Sequence, residues 1–202
     1  MFLLQMTTLL VLELTQPAVI QPPPGELEYS DGSEADGLTL EICEARLQNI
    51  ESISLEEAQG CEYWYWHHRD EDLRFDKMTK VLYRIIQVDS TQTRSYTKLA
   101  WLLWSQWRVW RTNHEDYPEG ETRLKEALSV LELGRSLYPA DYGYLMDAGT
   151  TIFNVAFHYE PKVWSTVVGY YRAAVEAAKT DDERVRALLK VAHSYRYQHK
   201  WR

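Results

Sequence analysis

Apolar residues recur along this chain at helical spacing, and the spacing repeats itself. Leu40, Cys43, Leu47 and Ile50 keep one face of a helix over Leu38 to Ile53. Ser54-x-x-Glu57 then reads as a capping box that opens the next helix, Glu56 to Arg69. Met78, Leu82 and Ile85 fall four and then three residues apart in a helix over Leu73 to Val88. Ala127, Leu131 and Gly134 repeat that spacing, and so do Val167, Tyr171 and Ala174 in a helix over Val163 to Lys179. Between these lie helices over Thr91 to Val109, with Tyr96, Leu99-Ala100 and Leu103 in phase, and over Tyr142 to His158. A last helix, Glu183 to Trp201, puts Leu188, Val191-Ala192 and Tyr195 in the same register. Residues 108–120, with Asn113, Asp116, Pro118 and Gly120, read as a loop.

The stretch Leu124 to Gly149 shows how one unit passes to the next. Pro139 stops a helix and Asp141 can cap its successor. Ala148-Gly149 then put two small side chains in mid-helix. Glycine there costs about 1 kcal/mol against alanine, so close packing is the reason to have it. Small-large-small on a second helix, a proline stop and a small pair in the next first helix resemble the tetratricopeptide repeat (TPR) family, whose units run to about 34 residues. The resemblance covers residues 56–202 and implies an all-α, right-handed α-solenoid of about three TPR-like helix pairs plus capping helices. Two departures stand out. Trp66 occupies a position where the family has a small residue, and Asp89-Ser90 replaces the proline stop.

Residues 38–202 form the helical-repeat domain. Residues 21–37 read as a linker, stiff at Pro22-Pro23-Pro24 and acidic through Glu26, Glu28, Asp31, Glu34 and Asp36. Residues 1–20 are apolar, with Leu9, Leu10, Val11, Leu12 and Leu14 as the core of a segment that docks on a partner or another copy. As an export signal it lacks a leading Lys or Arg, Gln5 and Glu13 interrupt it, and no A-x-A-like site follows. It is too short and polar to span a bilayer, so membrane contact is expected only through residues 1–20. Partner docking, export signal and a start placed too far upstream all stay open. Localisation stays open with them: cell envelope or exterior, or cytoplasm.

Charge narrows the partners. Net charge is −8, so a general nucleic-acid binder with a basic face is not expected. Cys43 and Cys61 are the two cysteines, either a disulfide joining the first helix to the next or a pair of buried thiols. His67-His68 point about 100° apart on a helix and so do not easily share a metal, and His114-Glu115-Asp116 is a polar run in the expected loop. No nucleophile elbow, P-loop or dinucleotide loop is present. The reading is a non-enzymatic protein–protein scaffold with no cofactor, no metal and no small-molecule substrate. Its alternative is a structural subunit of a larger assembly or filament, joined through the N-terminal segment.

The eight Trp and fourteen Tyr supply the lead to a surface. In TPR proteins the first helix of each pair lines a concave groove that holds a peptide. Carried over, the resemblance implies Tyr63 and His67 from the first pair and Thr97, Trp101, Trp104 and Ser105 from the second. The third pair gives Thr150, Phe153 and Asn154, and the final helix gives His193, Arg196 and Tyr197. Trp101 and Trp104 share a helix face, and whether that face is groove or core stays open. Such a groove would take an apolar or Pro-rich peptide from a protein partner or from the chain's own copies.

Overall fold

The computed structural model describes residues 38–67, 75–112, 120–158 and 160–198, and these are all-helical. They form eight α-helices: α1 (Leu40–Gln48), α2 (Leu55–His67), α3 (Phe75–Val88), α4 (Thr93–Thr112), α5 (Gly120–Leu137), α6 (Tyr142–His158), α7 (Trp164–Ala177) and α8 (Asp181–Gln198). The N-terminal segment with Leu9 to Leu14, the acidic linker and most of the expected 108–120 loop lie outside the described residues.

The helix starts follow from local chemistry. At α2, the Ser54 N–H donates to Glu57 Oε2 (2.9 Å) and the Glu57 N–H donates to Ser54 Oγ (3.2 Å), a reciprocal capping box. Thr180 and Glu183 make a second box at α8, at 3.2 Å in each direction. Its T-x-x-E pattern was open to the same reading. Asp141 caps α6 by accepting from the Tyr144 N–H at 2.9 Å. Where the proline stop is missing, Asp89 does the work. Its carboxylate accepts from the Thr91 N–H (2.9 Å) and the Gln92 side-chain amide (2.7 Å). These bonds hold its carboxyl below the usual aspartate value.

Each helix packs antiparallel on the next, and the packing repeats from pair to pair. Gly149 of α6 lies under the Tyr171 ring of α7, while the Tyr144 ring of α6 lies over Gly134 of α5. Both glycines of the sequence pattern therefore admit an aromatic ring, and Tyr144 donates through its hydroxyl to the Leu131 carbonyl. First helices also run side by side in parallel. The start of α4 meets the start of α6 through Tyr96 and Tyr144, whose rings sit 6.3 Å apart. Both ends of α6 meet α8: Tyr142 donates to the Glu183 carbonyl (3.1 Å), and the Phe157 and Tyr197 rings lie 4.9 Å apart.

Packing decides two readings that the sequence left open and corrects one helix register. Trp101, Trp104 and Ser105 are not on an open groove: they are 5%, 7% and 1% exposed, inside the core. The reason is Trp66. Its bulk leaves little close backbone contact between α2 and α4, and the space is filled by rings, with Trp66 edge-on to Trp101 at 5.7 Å and Trp101 edge-on to Trp104 at 6.5 Å. A Lys98–Glu62 ion pair bridges the same two helices. Cys43 and Cys61 are two buried thiols rather than a disulfide. They are hydrogen-bonded to each other, and that bond, helped by Arg46 Nη1 at 3.9 Å from Cys61 Sγ, brings the Cys61 thiol down to about 7. In α8 the buried positions are Ala187 and Ser194, whereas Leu188 is 50% exposed. The inward face of α8 is thus turned by about one residue from the expected register.

Candidate functional site

The solvent side of α6 is the surface that the fold singles out. Its apolar face, from Tyr144 and Leu145 through Ala148, Ile152 and Val155, is buried against α5 and α7. Opposite it, Asp147, Thr150, Asn154 and Phe157 recur at helical spacing. An outward face on a lone surface helix would be exposed. These four are all half-buried, because α4 flanks the start of α6 and α8 flanks its length. The stripe therefore lies at the floor of a recess.

The recess has a polar end and an aromatic end. At the polar end the first turns of α4 and α6 enclose a cavity of about 220 Å³ with Thr93, Arg94, Thr97, Asp141, Tyr144 and Asp147 on its walls. Thr97 keeps its hydroxyl on the Arg94 carbonyl (2.9 Å), and Asp141 is committed to its cap. Arg94 and Asp147 carry the remaining charge. Burial raises the Asp147 carboxyl above the usual aspartate value, with Arg94 opposing and Asp141 reinforcing the shift.

At the aromatic end Phe153 and Phe157 stack with centroids 5.9 Å apart. Tyr197 of α8 stands edge-on to both, at 5.8 and 4.9 Å, and His193 follows at 6.1 Å from Tyr197. Trp164 of α7 supports Phe153 from beneath at 5.2 Å and is itself 1% exposed. Phe153, Phe157 and Tyr197 are half-buried, so part of each side chain stays within reach of solvent.

The structure brings together Thr97, Thr150, Phe153, Asn154, His193 and Tyr197 along this recess. Tyr63 and the last residue of α2, His67, belong to a helix outside the group that flanks α6. Arg196 is exposed and, at helical spacing, shares its face with Val185 and Ala192, away from the recess. Arg94, Asp147 and Phe157 were missed. Phe157 stands four residues after Phe153 and so was legible as its neighbour. Asp147 carried no local signal, because the cavity it shares with Arg94 lies between two helix pairs. Among the described residues no group of His, Cys, Asp or Glu could hold a metal ion, and no helix is long and apolar enough to cross a membrane. Comparison with protein-family models, with curated proteins and with solved structures found no match to this chain.

Proposed function

We propose that this chain is a non-enzymatic interaction scaffold of the TPR type, a right-handed α-solenoid that holds an extended segment of a protein partner along α6. The observation that carries this reading is the half-buried stripe Asp147, Thr150, Asn154, Phe157. A recess of this length with a polar cavity at one end and half-buried aromatic rings at the other suits a peptide rather than a compact ligand. The aromatic end takes an apolar or proline side chain of the segment. Asn154 along the floor supplies hydrogen bonds to its backbone.

The test is a peptide-display selection against the full chain, with binding of the selected peptides measured by fluorescence polarisation. Thr150→Arg fills the floor of the recess, and Tyr197→Ala opens the aromatic end. Both are expected to weaken binding at least tenfold, a loss of about 1.4 kcal/mol. Peptides whose affinity survives both changes bind elsewhere, and the recess is then not the site.

A further inference from the structure

The helix that closes the described body carries an apolar stripe on the side away from it. Val185, Leu188 and Leu189 are 54%, 50% and 62% exposed, and Ala192 beside them is exposed as well. At about 100° per residue this stripe stands opposite Ala187 and Ser194, the two buried residues of α8. The described core therefore does not cover it. Single exposed leucines are ordinary, but a contiguous run along one helix face marks a contact surface.

The charges along that face identify the occupant. Asp181 lies on the stripe at the start of α8, 3.7 Å from the exposed Arg184 one turn on, in a first turn that also holds Asp182 and Glu183. Arg196 lies on the same stripe in the last turn. The face thus reads acidic, apolar, basic from one end to the other, over about 22 Å. We propose that it pairs with the same face of a second copy, antiparallel across a two-fold axis. In that arrangement Leu188 and Leu189 of the two copies meet at the centre. Asp181 of each copy comes beside Arg196 of the other, so the charged pair forms twice, once at each end. The opposed helix dipoles act in the same direction. The apolar N-terminal segment is a poorer match: residues 1–20 carry one charged side chain, Glu13, and so no Lys or Arg for the acidic end. The contact is separate from the recess on α6 and stands whether or not that recess binds a peptide.

The experiment is light scattering coupled to size exclusion on the full chain at tens of micromolar. The expected particle has twice the 23.8 kDa chain mass. Leu188→Glu with Leu189→Glu is expected to give the single-chain mass with an unchanged circular dichroism spectrum, since both side chains are exposed and glutamate suits a helix. Asp181→Arg alone puts like charges together at both ends and weakens pairing by about tenfold. Adding Arg196→Asp restores the pairs and the dimer. Single-chain mass for the parent protein, a dimer that survives the double glutamate change, or indifference to Asp181→Arg overturns the proposal. A parent monomer that dimerises when residues 1–37 are deleted also overturns it, and assigns the face to the chain's own N-terminal segment.

Discussion

Replacing Gly149 by alanine sets two effects against each other, and the structure decides the winner. Glycine inside a helix is worse than alanine by about 1 kcal/mol, so propensity alone predicts a gain. A Cβ at this position, however, would stand 2.6 Å from Tyr171 Cε1 and 2.8 Å from Cδ1. Ordinary carbon contacts lie at about 3.5–4.0 Å, so the ring would have to retreat by about 1 Å. Tyr171 has no room for that: it is fully buried and its hydroxyl lies 3.2 Å from Thr150 Oγ1. Overpacking of a rigid core costs about 1–3 kcal/mol, and a held ring argues for the upper end. The net expectation is a loss of about 2 kcal/mol, or about 4–8 °C in Tm for a domain of this size. Gly143→Ala is the control. Its Cβ would meet nothing nearer than Asp141 Oδ1 at 3.4 Å, so it should stabilise by about 0.4–1 kcal/mol. Guanidinium unfolding followed by circular dichroism measures both. In a Tyr171→Leu background Gly149→Ala should lose most of its cost, a coupling of about 1–2 kcal/mol. A Gly149→Ala protein as stable as the parent would refute the packing argument.

Thr180→Ala removes the hydroxyl that accepts from the Glu183 N–H and should cost about 1 kcal/mol in the same unfolding assay. Asp147→Asn should raise stability near pH 7 and leave it unchanged near pH 3. The folded carboxyl titrates above its unfolded value, so the charged form is a penalty that sets in as pH rises through that window and persists above it. The Cys61 thiol has the opposite sign. Its folded value of about 7 lies below the ordinary 9.0, so its contribution grows as pH rises from 7 to 9 and is lost as pH falls back through 7. Arg46→Met should flatten that slope in urea midpoints measured across the range, and an unchanged slope would show that Arg46 does not act on the thiol.

Local order was legible because its causes lie within a few residues. The capping box at Ser54 and Glu57, the cap at Asp141 and the span of α6 follow from spacing and side-chain chemistry that need no distant partner. The glycines at 134 and 149 announced close approach, though not that aromatic rings would be what approached. Depth was another matter. Trp101 and Trp104 fit groove or core equally well by periodicity, and burial came from Trp66, which arrives from another helix. The one-residue turn of α8 likewise follows from how α7 and α6 receive it, since Leu188 and Ala187 are both acceptable core residues in a helix taken alone. The recess on α6 needed the flanks of α4 and α8, and the cavity shared by Arg94 and Asp147 needed the side-by-side starts of α4 and α6. Periodicity fixes which residues of one helix share a face; only packing between helices decides what that face meets.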